Sequence, residues 1–142
     1  MESMKLQELI RVLAEELDTP YELLPEDAVK IALPVYVGEA ERSQSVVGKV
    51  IQGLSYFPKE NVLVFASVVG RMNDGINLRM LVRENENMLY SRISIDEDET
   101  IVVYGYLTER LLENSSAVMD VLKEVAYSAD RLEEIFFNKD KN

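Results

Sequence analysis

Leu89-Tyr90-Ser91-Arg92-Ile93-Ser94-Ile95-Asp96-Glu97-Asp98-Glu99-Thr100-Ile101-Val102-Val103-Tyr104-Gly105-Tyr106-Leu107 is the stretch on which the fold turns. Leu89, Ser91, Ile93 and Ile95 alternate with Tyr90, Arg92 and Ser94; Ile101, Val103, Gly105 and Leu107 alternate with Val102, Tyr104 and Tyr106. Period two with β-branched and aromatic residues marks half-buried strands. The all-acidic Asp96 to Glu99 between them reads as a solvated turn. Helical patterns before and after predict a hairpin on one side of a sheet that helices cover.

Just upstream, Leu78, Leu81, Val82, Asn85, Met88 and Leu89 share a helical face, with Asn73 or Asp74 as its cap after the break at Gly70 to Gly75. Asn85 on that face is either a boundary position reaching solvent or a polar pair that fixes packing or subunit register. Downstream, Thr108 to Glu113 connects to a long helix capped by Asn114, Ser115 or Ser116. Val118, Val121, Leu122, Val125, Ala129, Leu132 and Phe136 form its apolar stripe.

Farther upstream lie three strand patterns. Val62 to Val69 is apolar on both faces, which predicts a central strand covered on both sides. Ser43 to Leu54 alternates more weakly, and Gly48 suggests a bend or a close backbone approach. Val29 to Val37 alternates most clearly, and Pro34 within it predicts an edge position or a bulge. Tyr56 to Asn61 and Gly38 to Arg42 read as turns, and Tyr21 to Asp27 as a connector. The chain opens on a helix with Leu6, Leu9, Ile10, Leu13 and Leu17 on one face, Ser3 as its N-cap and Asp18-Thr19-Pro20 as its end. That stripe suits a core or a partner groove.

The predicted order is α-β-β-β-α-β-β-α. It implies an α+β fold with an antiparallel sheet of about five strands flanked by three helices. Residues 1–138 form a single domain on this reading, and 139–142 a polar tail.

The 142 residues carry 26 acidic and 15 basic side chains, a net charge of −11, with no cysteine and no histidine. A surface this acidic disfavours direct contact with nucleic acid or anionic membranes and leaves polypeptide partners open. Without cysteine there is no disulfide, thiolate nucleophile or zinc–thiolate site; without histidine the commonest general base and transition-metal ligand are gone. Met1 to Lys5 has no basic region running into an apolar core, so the expected location is the cytoplasm.

The stretch Leu81-Val82-Arg83-Glu84-Asn85-Glu86-Asn87-Met88-Leu89-Tyr90-Ser91-Arg92-Ile93-Ser94-Ile95-Asp96-Glu97-Asp98, followed by the strand Thr100 to Leu107 and by Ala129-Asp130-Arg131-Leu132, resembles the YbjN family. That family shares the fold of the type III secretion chaperones. Two positions depart from its pattern. Ser91 stands where glycine is usual before the strand arginine, and Glu99 where glycine usually closes the turn. From Met1 to Gly70 only the element order corresponds. The resemblance implies a compact, non-catalytic domain that is often a homodimer. The chaperones hold an extended partner segment on the first helix and neighbouring strands, and dimerise largely through the middle helix.

The residues themselves point to no reaction. Asp96 to Glu99 lacks the spaced ligands and glycine of a calcium loop, so a solvated tip is expected over a Ca²⁺ or Mg²⁺ site. Glu15-Glu16 and Glu133-Glu134 diverge on helices, and Gly70 to Gly75 lacks the lysine and hydroxyl of a phosphate loop. Tyr90, Tyr104 and Tyr106 fall opposite the predicted core face, where they suit either a partner or ordinary cross-strand packing. The expectation is therefore a cytoplasmic, chaperone-like adaptor or regulator without metal or cofactor. It dimerises and binds a segment of a partner protein. Contact candidates are Leu78, Leu81, Val82, Asn85, Met88, Tyr90, Tyr104 and Tyr106, and groove candidates are Leu6, Leu9, Ile10 and Leu13. The alternative is a small-molecule sensor or a carboxylate-based metal-dependent enzyme.

Overall fold

The computed structural model describes residues 2–37, 40–54 and 57–137. Along the chain run α1 (Glu2–Leu17), β1 (Tyr21–Leu23), β2 (Val29–Val37), β3 (Ala40–Leu54), β4 (Phe57–Arg71), α2 (Leu78–Arg83), β5 (Ser91–Ile95), β6 (Thr100–Thr108) and α3 (Ser115–Phe136). The expected tail lies outside the described residues, as do Gly38 and Glu39 of the first expected turn. Among the described residues no helix is long and apolar enough to cross a membrane.

The class is α+β; the described residues form three α-helices and one antiparallel sheet in the order β1-β2-β3-β4-β6-β5. The sheet has six strands, one more than the sequence pattern predicts. The extra strand is β1, whose Glu22 pairs with Lys30 of β2. Three residues are too few to display a period, so this edge reads as a connector. Pairing also continues into the expected turn between β3 and β4, where Leu54 meets Phe57. Gly53, at φ 79°, takes up the register shift there.

One face of the sheet carries Val29, Ile31, Leu33 and Val35 of β2, Val46 of β3, Leu63 and Phe65 of β4, and Ile101 and Val103 of β6, all buried. α1 and α3 both pack on this face. Gly105 permits the approach of α3, and Gly48 makes room beneath α1 for the Phe65 ring. A Cβ on Gly48 would lie 2.8 Å from the Phe65 ring, and one on Gly105 would lie 2.6 Å from Val121 of α3. Among the described residues no helix lies over the other face. The two-sided cover expected for β4 is therefore not the arrangement found. Val64 and Ala66 are shielded laterally, because Tyr106 and Tyr104 of β6 stand directly opposite them.

Helix ends are settled by local chemistry. α1 begins at Glu2, so Ser3 lies inside the helix and is not its cap. It ends with Asp18 in the left-handed region, Asp18 N–H bonded to Glu15 O and Thr19 N–H to Ala14 O, the paired bonds of a Schellman motif. α2 is capped by Asn77, whose Oδ1 accepts from Met80 N at 3.1 Å, and not by Asn73 or Asp74. Asn73 instead turns the preceding loop by accepting from Gly75 N. Asn114 caps α3, as one of the three predicted candidates. Pro34 sits beside β1's three-residue pairing range, where β2 is an edge. Ala32 N–H points to Pro20 O on the β1 side, so the nitrogen of Pro34 faces the same way and costs no ladder bond.

Candidate functional site

The apolar face expected for α2 divides in two. The helix ends at Arg83 and a 3₁₀ turn, Glu84–Asn87, follows. Leu81 is fully buried in the core, while Leu78 is 52% and Val82 53% exposed. Met88 is half-buried against the core. Leu89 belongs to no strand and is 78% exposed, so it is not on the core face where alternation put it; Tyr90 beside it is also exposed. Contact candidates Leu78, Val82 and Tyr90 thus offer surface, joined by Met80 and Leu89, whereas Leu81 and Met88 are taken up by the fold.

Asn85 takes the packing role among its alternatives, a polar pair between the segment after α2 and a strand. Its Oδ1 accepts from Ile93 N at 2.7 Å and occupies an outward donor of edge strand β5. From α3, Glu124 holds the two residues just before β5, its carboxylate oxygens accepting from Leu89 N at 2.9 Å and Tyr90 N at 2.7 Å. Arg131 of α3 meets Glu84 at 3.1 Å. These three contacts clamp the segment between α2 and β5 against α3. The Asn85 bond also blunts the β5 edge at Ile93. Glu124 carries no signal in the sequence, because its partners lie more than thirty residues away.

Tyr104 and Tyr106 lie on the helix-free face, a different surface from α2. Their rings are 6.1 Å apart and stacked, and the Arg92 guanidinium sits 4.5 Å over the Tyr106 ring. The Tyr104 hydroxyl donates to Asp96 at 3.0 Å. Partial burial, then this bond to a carboxylate, push the Tyr104 phenol up to about 12. Asp96 is therefore engaged with its own hairpin. The turn is held by Glu99 N–H to Asp96 O and Asp96 N–H to Thr100 O, with Glu99 at φ 65°. That is the left-handed position at which glycine is the usual residue.

The groove candidates Leu6, Ile10 and Leu13 are at most 2% exposed and form the core with β2 and β3; Leu9 is half-buried. Their apolar surface is occupied within the protomer, which corrects the groove reading for α1.

A polar cluster that the sequence pattern does not announce lies between β3, β4 and the far half of α3. Arg42 meets the buried Asp130 at 2.6 Å and Glu134 at 3.2 Å. Gln44 Nε2 donates to Ser67 Oγ at 2.9 Å and to Glu133 at 3.3 Å, and Ser67 Oγ donates to Ser45 O at 2.7 Å. Among the described residues no three carboxylates converge as a metal site. No family model matches the chain, and no curated protein matches it.

Proposed function

We propose that this chain is a non-catalytic protein-binding module, a chaperone-like adaptor or regulator that forms a homodimer and holds a segment of a partner protein. The observation that carries the reading is the exposed apolar patch of α2 and its exit, Leu78, Met80, Val82, Leu89 and Tyr90. Full burial of a leucine or valine contributes about 1.5–3 kcal/mol. A run of such residues left in water beside a well-filled core marks an interaction surface. The segment that resembles the YbjN family, Leu81 to Asp98, carries Val82, Leu89 and Tyr90 of this patch. The order of helices and strands, with β1 added at one edge, supports a fold of the type III secretion chaperone kind. On this reading the middle helix pairs two copies in the cytoplasm, and the strands receive the partner.

Light scattering on a sizing column tests the pairing. The wild-type chain runs as a dimer, and Leu78→Glu with Val82→Glu runs as a folded monomer, because both positions are exposed and lie outside the protomer core. A wild-type chain that stays monomeric at high concentration overturns the dimer. A dimer untouched by the double variant moves it off α2.

A further inference from the structure

The ladder fixes a cross-section of the helix-free face. Lys30 of β2 stands opposite Val47 of β3, Val47 opposite Ala66 of β4, Ala66 opposite Tyr104 of β6, and Tyr104 opposite Arg92 of β5. Residues directly opposite share a face, so the row reads cation, two apolar residues, aromatic, cation. The next row places Lys49 opposite Val64 and Val64 opposite Tyr106. Lys30 and Lys49 have no ion pair among the described residues, and Arg92 lies over the Tyr106 ring. Three carboxylates border these rows. Asp96 accepts from the Tyr104 hydroxyl, Glu133 accepts from Gln44, and Glu22 stands one strand outside Lys30. Apart from Glu22, the charges left free around the two rows are cations, in a chain whose net charge is −11.

The face is hollow beside this row. The ladder between β3 and β4 ends at Val47 and Ala66, and a cavity of about 630 Å³ opens there with Lys30, Val47, Ala66 and Val68 in its wall. Val68 is 59% exposed, so the hollow offers bare apolar surface. Four strand spacings separate Lys30 from Arg92, about 19 Å. A helix about 10–12 Å across lies between them with its apolar stripe on Val47, Ala66, Val68 and Tyr104. Carboxylates on the two shoulders of that helix come within reach of Lys30 and Lys49 on one side and Arg92 on the other.

We infer that the helix-free face binds an amphipathic helix of a partner protein, one with an apolar stripe and acidic residues on both shoulders. Charge complementarity selects this partner. The rest of a strongly acidic surface repels such a helix, so attraction is confined to the face that carries Lys30, Lys49 and Arg92. Tyr104 and Tyr106 supply broad, already ordered contact area at its centre. The inference rests on the protein-binding reading and gives it a partner chemistry and a surface separate from the α2 patch.

Two synthetic peptides of about 18 residues, five helical turns, test it. Both carry the same leucine stripe; one has glutamates on its shoulders and the other lysines. Fluorescence anisotropy gives the affinity of each for the full chain, and amide NMR shifts give the site. Net charge alone favours the lysine peptide, so tighter binding of the glutamate peptide, with shifts at Val47, Ala66 and Tyr104, is the expected result. Lys30→Glu combined with Arg92→Glu, both at exposed positions, weakens the glutamate peptide about five- to thirtyfold and strengthens the lysine peptide. A glutamate peptide that shifts Leu78 and Val82 instead, or that ignores the charge reversal, overturns the inference and leaves a binding module at α2. A glutamate peptide that does not bind overturns the inference alone, since the α2 pairing is read separately by light scattering. An oligothymidylate that binds this face more tightly than the glutamate peptide assigns the face to single-stranded nucleic acid and overturns the inference too.

Discussion

α1 and α2 carry apolar residues at the same helical spacings and end in opposite situations. Leu6, Ile10 and Leu13 of α1 are buried against β2 and β3. On α2 only Leu81 is buried, and Leu78 and Val82 face water. Length explains much of this. α1 runs for 16 residues and lies across two strands, whereas α2 runs for six and is anchored at one side chain. A stripe is a condition for burial, and the length of the helix and the breadth of its support decide whether burial follows.

The largest expected effect sharpens that contrast. Leu13→Ala and Leu81→Ala each cost about 2–5 kcal/mol in urea unfolding, because each leaves a cavity. Leu78→Ala, at an exposed site of the same pattern, stays within about 0.5 kcal/mol when measured on the monomer. A Leu78 effect as large as that of Leu13 would erase the distinction between the helices.

Next in size is the clamp that holds the exit of α2. Glu124→Ala leaves two backbone donors without their carboxylate and costs about 1–3 kcal/mol. Amide exchange speeds up at Leu89 and Tyr90, while α1 amides keep their protection relative to global unfolding. Equal loosening of both helices would show that the clamp is not local.

Smaller again are two backbone substitutions, one at the end of α1 and one at the hairpin tip. Asp18 and Glu99 are held at φ 52° and 65°. Asp18→Gly and Glu99→Gly each remove a left-handed strain of roughly 1–2 kcal/mol, part of which the greater unfolded-state freedom of glycine offsets. Thermal unfolding therefore shifts upward by a few degrees for each. A downward shift would mean that the side chains contribute more than their backbone strain costs.

The smallest effect separates the helix-free face from both helices. The Tyr104 phenol is raised from 10 to about 12 in the folded chain. Between those values the unfolded chain has lost this proton and the folded chain has kept it. The Tyr104 contribution is therefore fully present below pH 10 and is lost as pH rises through about 12. Stability should fall over that interval, and less steeply in Tyr104→Phe. Tyrosinate absorbance that shows no late-titrating phenol would remove the basis for this.

Much of the fold is legible in local pattern. β2 and β6 announce themselves by alternation, β4 by a continuous apolar run, and α3 by its stripe, because each pattern needs several residues to appear. β1 has three residues and shows none. The candidate surface is legible by halves. The α2 pattern shows which residues are apolar, but burial is a property of what lies opposite, so it does not separate Leu81 from Leu78. Asn85 stands out as a polar residue on an apolar face, yet its partner, the Ile93 amide, belongs to a strand whose position depends on β6 and α3.

The sequence by itself determined the α+β class, the acidic charge without histidine or cysteine, the face each residue of β6 presents, and an acidic turn between β5 and β6. Each of these depends on composition or on neighbours within a few residues. Tertiary structure alone decided that the described helices gather to one side of the sheet, that Leu6, Ile10 and Leu13 are core, and that Asn85 reaches Ile93 of β5 while Glu124 holds the residues before it. It also decided that β3 and β4 part beyond Val47 and Ala66. These are relations between segments distant along the chain, set by which surfaces meet when the sheet twists and the helices settle on it, and no local period encodes them.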